Sequence, residues 1–238
     1  MITLDIDNKK FDIVVVGCGG TGSQLIPFLM QLSNNIKDKI KSITLIDGDV
    51  YEDSNLRNQK ITKSDVGFKK AKVLAERYSY IFEELDINYY DEYILSWHTL
   101  DDITGYNVIL LGCTDNNPSR RILCEFMNKC DNKNIIYIDS GNGTDNRIGQ
   151  IVVGYKDYGN KILNHVGDIF TDIYSEENTI KSEEHCFDVI NEKPQNIATN
   201  IYAAANVFNV ITNILMFGKI ENNVLFFNAD KINVYGRG

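Results

Sequence analysis

The sequence predicts an α/β fold with a Rossmann-like mixed sheet that is mostly parallel, carries helices on both faces and ends in an antiparallel hairpin. Short apolar runs alternate with amphipathic stretches, which is typical of parallel strands joined by helices. A glycine-rich turn joins the first long apolar run to the first helical stretch, as in nucleotide-binding units. With 43% hydrophobic and 24% charged residues, residues 1–238 are expected to form a single domain.

Each predicted element is marked by its own pattern. Five apolar runs rich in β-branched residues predict strands: Phe11–Val16, Ile43–Ile46, Val108–Leu111, Ile135–Ile138 and Ile148–Val153. A sixth strand is predicted at Ile87–Ile94. Apolar residues at helical spacing predict four helices: Gly22–Leu32, Lys69–Phe82, Arg121–Lys129 and Gln195–Phe217. Two further runs predict the terminal hairpin: Val224–Phe227 and Ile232–Tyr235.

Two stretches between these elements are also informative. The pair Asn117-Pro118 has the chemistry of a helix start, with an N-cap asparagine followed by proline at the first helical position. From about 155 to 194 the sequence is polar and irregular. Because this stretch is too long for an ordinary connection, it predicts an irregular crossover loop.

Charge and cysteine usage exclude several classes of function. The formal net charge of -9 would repel a phosphate backbone, so no nucleic-acid partner is expected. We find no secretory signal and no run of about 20 apolar residues, so no membrane association is expected. The 5 cysteines include no C-x-x-C pair, which argues against a disulfide framework or a zinc site. Reduced thiols suit the cytoplasm.

The glycine-rich turn fits the pattern G-x-G-x-x-G, with glycines at Gly17, Gly19, Gly20 and Gly22. Glycines there allow a tight turn and a close approach of backbone to phosphate at the positive end of a helix. Asp47 closes the second strand, where a carboxylate can accept hydrogen bonds from ribose hydroxyls. The loop therefore predicts a nucleotide site, but it does not choose between a dinucleotide and ATP.

Four further motifs follow the glycine-rich turn along the sequence. Including the turn, the blocks are G-x-G-G-x-G at Gly17–Gly22, D-x-D at Asp47 and Asp49, N-L-x-x-Q at Asn55–Gln59, G-x-x-K at Gly67–Lys70 and C-T-D-N at Cys113–Asn116. With these blocks in order over residues 11–121, the chain resembles the ThiF/MoeB superfamily, which includes the ubiquitin-activating enzymes. Its size and the segment His185–Asn196 resemble the short ThiF-like proteins of bacterial PRTRC gene sets.

The resemblance implies an adenylyltransferase that uses ATP and Mg²⁺. Its partner would be a small ubiquitin-like or sulfur-carrier protein with a C-terminal glycine, whose carboxylate is adenylated, and the chain would form a homodimer. A terminal carboxyl has a pKa of roughly 3.5, so the nucleophile is already ionised at neutral pH and no general base is required. The barrier is anionic repulsion, which predicts a lysine, an arginine and a metal carboxylate around the phosphates.

The resemblance also implies a role for each matching residue. Asp47 would bind the ribose, while Asp49, Asn55 and Gln59 would help to hold the nucleotide and its phosphates. The resemblance places Lys70 on the α-phosphate and assigns Mg²⁺ to Asp115. Two simpler interpretations stay open: Lys70 as a solvated lysine in a K-K-A-K run, and Asp115 as a helix N-cap beside Pro118.

Two catalytic candidates fit the family pattern less well. Arg57 departs from the usual order of its block, and Cys186 lies outside the five blocks. The family's arginine usually directly precedes the glutamine, whereas the order here is Arg57-Asn58-Gln59, a rotation of about 100° on a helical turn. Arg57 could still reach the phosphates, Arg120 or Arg121 could share the task, or phosphate contact could be weakened. Cys186 lies where several relatives carry a cysteine that receives the acyl group; the alternative is an ordinary loop cysteine.

Two other functions stay open at this stage. A non-catalytic nucleotide-binding scaffold of the same fold would explain the displaced arginine as lost chemistry. An NAD-dependent oxidoreductase is supported only by the glycine loop and Asp47, and the later blocks argue against it.

Overall fold

A computed structural model of the chain describes residues 1–142, 147–175 and 196–237. The strands in these residues are β1 (Ile2–Thr3), β2 (Phe11–Val16), β3 (Ile40–Ile46), β4 (Ile87–Tyr90), β5 (Asn107–Gly112), β6 (Asn134–Asn142), β7 (Ile148–Asp157), β8 (Asn160–Leu163), β9 (Lys219–Ile220), β10 (Val224–Asn228) and β11 (Asn233–Arg237). The α-helices are α1 (Gly20–Asn35), α2 (Lys70–Ile81), α3 (Trp97–Ile103), α4 (Asn117–Lys129), α5 (Val166–Ile169) and α6 (Ile197–Phe217). Short 3₁₀ helices are formed by Lys37–Lys39, Asp53–Arg57, Lys63–Asp65 and Thr171–Tyr174.

Most strands form one sheet in the order β11-β10-β7-β6-β5-β2-β3-β4, with β8 beside β7. The five strands from β6 to β4 are parallel, and β7, β10 and β11 continue the sheet in antiparallel pairings. The prediction of a Rossmann-like mixed sheet with a C-terminal antiparallel hairpin is confirmed. Because β2 lies between β3 and β5, the chain changes its winding direction there. Open α/β sheets bind ligands outside the carboxyl ends of the strands at such a point.

Helices cover both faces of this sheet. Because side chains alternate along a strand, Ile13 and Val15 of β2 enter the core formed with α1, α2 and α6. Val14 and Val16 enter a second core, to which α4 and α5 contribute. All four side chains are buried, which explains why the predicted strand is a continuous apolar run instead of an alternating one.

Helix α6 is long and apolar enough, by length and composition, to cross a membrane, contrary to the expectation that no segment would qualify. Its inner side, which includes Ala203, Val207 and Ile211, is buried against the sheet and α1. The packing accounts for its composition as that of a core helix. Gly218, in the left-handed conformation, ends it as predicted.

The predicted irregular segment at 155–194 is wrong in its first half. Strand β7 continues to Asp157, and a two-residue turn with positive φ at Tyr158 (43°) and Gly159 (86°) leads into β8. Helix α5 and the 3₁₀ helix Thr171–Tyr174 follow. The polar composition concealed this structure because Lys156 is buried in an ion pair with Asp131, 2.8 Å away.

Two other predicted boundaries are corrected. Strand β4 ends at Tyr90 instead of Ile94, and the chain then turns back so that Tyr93 packs against Gly48. The N-cap of α4 is Asn116, whose side chain accepts a hydrogen bond from the Ser119 N–H at 2.9 Å. The capping asparagine is therefore one residue earlier than predicted.

Candidate active site

The glycine loop lies between β2 and α1, at the point where the sheet changes winding direction. Gly17 has a φ of 97°, and a Cβ atom there would lie 2.6 Å from the carbonyl oxygen of Cys113, just after β5. A Cβ atom on Gly22 would overlap the carbonyl oxygen of Gly17. Only glycine fits at these two positions, so the loop brings its backbone into direct contact with the end of β5.

The amino end of α1 supplies unpaired hydrogen-bond donors. Gly19 is the N-cap and contributes no side-chain cap. In the described part of the chain, the backbone N–H groups of Gly20, Thr21 and Gly22 have no hydrogen-bond partner. Such groups at the positive end of a 16-residue helix form a binding site for an anion.

Asp47 faces this loop from the end of β3. One carboxylate oxygen accepts a hydrogen bond from the Cys18 N–H at 2.7 Å, and the other accepts one from the Asp49 N–H at 2.9 Å. Burial raises the pKa of Asp47, although nearby Lys70 opposes the shift. An ionised carboxylate offers about four acceptor sites, so the two backbone contacts leave room for ribose hydroxyls.

Lys70 begins α2 and points towards the same two aspartates. Its side chain is 8% exposed, and its amino group donates to Asp49 at 2.8 Å. Burial alone would lower the pKa of Lys70, but Asp47, Asp49 and Asp115 together raise it, so the amine stays protonated. The interpretation of Lys70 as a solvated surface lysine is wrong.

Asp49 is the more open member of that ion pair. Its side chain is 46% exposed, and Tyr93 donates a hydrogen bond to its second oxygen. Burial would raise the pKa of Asp49, but the charge of Lys70, the hydrogen bonds from Lys70 and Tyr93 and the charge of Lys69 together lower it. The sequence did not predict the contact with Tyr93, because it placed that tyrosine within the predicted strand Ile87–Ile94.

The 3₁₀ helix Asp53–Arg57 carries the N-L-x-x-Q block. Asn55 accepts a hydrogen bond from the Glu52 N–H at 3.0 Å, so its side chain caps this helix. Gln59 lies against the glycine loop, with its amide nitrogen 3.8 Å from the position of a Cβ on Gly19. Arg57 is exposed and ends the 3₁₀ helix. Asn58 and Gln59 lie beyond it, so the expected 100° offset on one helical turn does not apply.

Asp115 follows β5 and is exposed. Among the described residues it forms no salt bridge, although its charge acts on both Lys70 and Arg120. Because Asn116 is the helix cap, the interpretation of Asp115 as the N-cap is wrong. The described residues contain no group of three metal-ligating side chains. One free carboxylate is nevertheless what Mg²⁺ needs when nucleotide phosphates supply other ligands, so the site fits a Mg²⁺–nucleotide complex.

Two orphaned polar atoms also mark this edge of the sheet. The side-chain oxygens of Gln59 and Thr114 are buried without a hydrogen-bond partner in the described chain. Buried polar atoms are usually paired, so such atoms at a site indicate a group that completes them. Their position beside the glycine loop fits a bound nucleotide.

The two arginines after Asp115 are already engaged. Arg120 forms a buried ion pair with Asp139 at 3.1 Å. Arg121 donates to the carbonyl oxygens of Ile173 at 2.7 Å and Ser175 at 2.8 Å. Neither is available to replace Arg57 in this structure. Asp139 was missed from the sequence, although it lies near the carboxyl end of a parallel strand, as Asp47 does.

Cys186 lies outside the described residues, and its role as an acyl acceptor stays a prediction. Cys18, in the glycine loop, is buried, and burial raises the pKa of its thiol well above the ordinary value. Cys18 is therefore a small buried side chain whose thiol is poorly suited to act as a nucleophile.

Two curated relatives illustrate what the chain is similar to in sequence. It is 29% identical over 118 residues to adenylyltransferase and sulfurtransferase UBA4 of Saccharomyces cerevisiae (strain RM11-1a), covering 49% of this chain and 25% of that protein. It is 30% identical over 112 residues to adenylyltransferase and sulfurtransferase MOCS3 of Mus musculus, covering 47% of this chain and 23% of that protein. The matched part is therefore about a quarter of each relative's length.

Solved structures match over nearly the whole chain and show the fold. The crystal structure of E. coli MccB with ATP has a TM-score of 0.62 at 22% identity, covering 98% of this chain and 64% of that one. The structure of PaaA has a TM-score of 0.61 at 14% identity, covering 97% of this chain and 64% of that one. A family model described as the ThiF family matches residues 7–235. The chain, with its glycine loop and converging Asp47, Asp49 and Lys70, belongs to the ThiF family.

Proposed function

We propose that this protein uses ATP and Mg²⁺ to adenylate the C-terminal glycine carboxylate of a small ubiquitin-like or sulfur-carrier protein. The observation that carries the proposal is that a protonated, buried Lys70 and an exposed Asp115 interact electrostatically beside the glycine loop, where α1 begins with unpaired N–H groups. Relatives named as adenylyltransferases and an MccB structure with ATP support it. The proposed compartment is the cytoplasm, where thiols stay reduced.

The reaction requires one bond to form and one to break. A carboxylate oxygen of the acceptor attacks the α-phosphorus, and the bond from that phosphorus to the bridging oxygen breaks. The products are an acyl adenylate and pyrophosphate, which leaves with the electron pair. Since the attacking carboxylate is ionised at neutral pH, no side chain has to remove a proton. Catalysis therefore depends on positioning and on charge stabilisation.

The residues supply both effects. The N–H groups of Gly20, Thr21 and Gly22 would hold phosphate oxygens, and Asp47 would fix the ribose. Lys70 would leave Asp49 and stabilise the negative charge that develops on the α-phosphate. That exchange is feasible because Asp49 is 46% exposed and can be solvated when the lysine departs.

The metal would be held by Asp115 together with phosphate oxygens. When bound, Mg²⁺ would neutralise negative charge on the phosphates. Gln59 would donate its amide to the phosphate region, because it already lies against Gly19. Asn55 would act indirectly, by capping the 3₁₀ helix that places Gln59.

The proposal is tested by ATP–pyrophosphate exchange with purified protein and a glycine-terminated ubiquitin-like partner, ideally one encoded beside this gene. We expect partner-dependent exchange. Calorimetric titration with MgATP and with NAD provides the ligand control, and we expect binding of MgATP only. Tight binding of NAD with no response to MgATP would overturn the proposal.

A non-catalytic nucleotide-binding scaffold is the second candidate. Two observations favour it: Lys70 is already paired with Asp49, and Arg57 is exposed at the end of its 3₁₀ helix. A scaffold would bind MgATP and the partner without catalysing exchange, so the two assays together separate the candidates. The NAD-dependent oxidoreductase loses its support, since the ThiF family accounts for the glycine loop and Asp47.

We propose a homodimer that pairs through the outer face of α6. Phe28 of α1 and Ile201 and Met216 of α6 are exposed by 44%, 47% and 48%. An apolar helix face of this kind is typical of an interaction surface. Light scattering coupled to size-exclusion chromatography should show a dimer for the unaltered protein and a monomer for Ile201→Glu. A monomer before substitution would contradict the proposal.

Transfer of the acyl group to Cys186 is a separate, later step. The thiolate would attack the acyl adenylate, forming a thioester and releasing AMP. Cys186→Ala should therefore leave ATP–pyrophosphate exchange nearly intact while abolishing a reductant-sensitive adduct with the partner on a non-reducing gel. If the adduct survives in Cys186→Ala, the thiol acceptor is wrong and the adenylate is the product handed on.

A further inference from the structure

A second ion pair lies beside the site and has no role in the proposed chemistry. Arg120, in the first turn of α4, donates from Nε to both oxygens of Asp139, at 3.1 and 3.3 Å. The side chains are 12% and 1% exposed. Tyr137 donates its hydroxyl to Asp139 at 2.9 Å. The carboxylate is thus held from two sides and fixes the direction of the guanidinium.

The same guanidinium bridges the ends of two strands. Its Nη2 donates to the carbonyl oxygen of Thr114, just after β5, at 2.7 Å, and to that of Ser140, in β6, at 3.2 Å. The Thr114 carbonyl belongs to the residue directly before Asp115. A lysine could not make this set of contacts, because only a planar fork presents donors in several fixed directions.

The side chain of Asp115 makes little contact with the rest of the protein. Within the described residues the carboxylate accepts one hydrogen bond, from the Asn116 side-chain amide at 3.5 Å, so its position depends on the backbone at either side. Arg120 fixes Thr114 on one side, and Asn116 caps α4 on the other through the Ser119 N–H. The backbone is therefore fixed on both sides of Asp115, and this determines where the exposed carboxylate lies.

We propose that Arg120, oriented by Asp139, is the positioning residue that places Asp115 for the metal–nucleotide complex. The inference rests on the proposed function, because it takes Asp115 as the metal carboxylate. Arg120 acts through the backbone of Thr114, to which its Nη2 donates, while its Nε is held by Asp139. Outer contacts that orient a metal ligand commonly control metal affinity.

The test measures metal binding and does not depend on turnover. Mn²⁺ is titrated into full-length protein saturated with ATP, and bound metal is followed by electron paramagnetic resonance. In Arg120→Gln/Asp139→Asn, which removes both buried charges together, the affinity for Mn²⁺ should fall by about tenfold or more. Affinity for ATP without metal should change by less than about twofold.

Arg121→Gln is the matched control. Arg121 is the next residue of α4 and also donates to backbone carbonyls, but these belong to Ile173 and Ser175 and not to the Asp115 loop. Its substitution should leave Mn²⁺ affinity unchanged. Arg120→Lys provides a second variant that keeps the charge opposite Asp139, and we expect a Mn²⁺ affinity between those of the unaltered protein and the double variant.

The outcomes separate this inference from the proposed function. Unchanged Mn²⁺ affinity in the double variant and in Arg120→Lys would overturn the positioning role, while exchange activity of the unaltered protein would still support adenylation. An equal loss in Arg121→Gln would overturn it too, because general loosening of α4 would then explain the effect. Absence of exchange in the unaltered protein, with the expected metal-binding pattern, would overturn the proposed function and support the positioning role.

Discussion

Two ion pairs, Lys70–Asp49 and Arg120–Asp139, lie at the same edge of the sheet and differ mainly in the solvent exposure of the carboxylate. We call Lys70–Asp49 the open pair and Arg120–Asp139 the closed pair. In Lys70–Asp49 the carboxylate is 46% exposed, whereas in Arg120–Asp139 it is 1% exposed. Asp49 exchanges partners easily because water can solvate it. Asp139 cannot, since Arg120 and Tyr137 are its only compensation in the described chain. The Lys70–Asp49 pair is therefore suited to release a cation to a ligand, and the Arg120–Asp139 pair is suited to hold the ends of two strands in place.

The largest change in stability is expected when the closed pair, Arg120–Asp139, is broken. Asp139→Ala leaves the Arg120 guanidinium buried without a counter-charge, so the free energy of unfolding should fall by about 3–5 kcal/mol. Asp49→Ala should lower the free energy of unfolding by less than about 1 kcal/mol, because Asp49 is itself 46% exposed and Asp47 still faces the buried Lys70 amine. Urea unfolding of both variants measures the contrast. Equal losses would show that the two pairs do not differ in the way proposed.

The next effect concerns the open pair and the metal carboxylate. Lys70→Ala and Asp115→Ala should each reduce adenylate formation by at least about 100-fold, since each removes roughly 3 kcal/mol of charge stabilisation in the transition state. Steady-state ATP–pyrophosphate exchange gives kcat/KM for each variant.

Lys72→Ala is the control for Lys70→Ala. Lys72 lies in the same helix, is about half exposed and approaches Glu76 at 3.9 Å, so its loss should have little effect on exchange. If exchange were unchanged in both the Lys70 and the Asp115 variants, the chemistry would have to lie elsewhere.

The parallel half of the fold was predictable because its signals are local. β2, β3, β5 and β6 each contain an apolar run, and the glycine loop marks the first strand–helix junction. Beyond β7 the signals weaken, since β8 (NKIL) is short, almost entirely exposed and half polar. Its pairing with β7 depends on a two-residue turn with positive φ at Tyr158, a conformation that tyrosine does not signal.

The candidate site divides in the same way. Lys70, Asp47 and Asp115 could be placed because each belongs to a known block and lies shortly after a strand or at the start of a helix. The partners of these residues could not, because Tyr93 reaches Asp49 across 44 positions and Arg120 meets Asp139 across 19. Such contacts are set by tertiary packing, and no periodic pattern of one sequence encodes them.

A smaller effect is expected from Arg57→Ala. An exposed guanidinium acts through solvent, which screens its attraction for phosphate, so kcat/KM for exchange should fall by about fivefold or less. Arg57→Lys should recover most of the loss, since a screened charge needs no particular geometry. A 100-fold loss would instead show that the 3₁₀ helix closes on the phosphates and makes Arg57 equivalent to Lys70.

The smallest effect is the pH dependence of the open pair. Lys70 lowers the pKa of Asp49 in the folded protein, whereas an unfolded chain should show a value near 3.9. Folding therefore favours the ionised form, and its stabilisation is fully present above the unfolded pKa and is lost as pH falls through the folded pKa.

The free energy of unfolding should thus differ between the unaltered protein and Asp49→Asn by less than about 1 kcal/mol near pH 7. The difference should shrink as the pH is lowered from about 4 towards the folded pKa, because the unaltered protein then also carries a neutral side chain at this position. Urea unfolding at several pH values in that range measures it, with Lys70 still present in both proteins. Asparagine keeps an acceptor for the Lys70 amine, so the variant isolates the charge from the hydrogen bond. A difference that grew as the pH fell would mean that the pKa of Asp49 is raised on folding, and the open pair would then resemble a buried carboxylate with no effective partner.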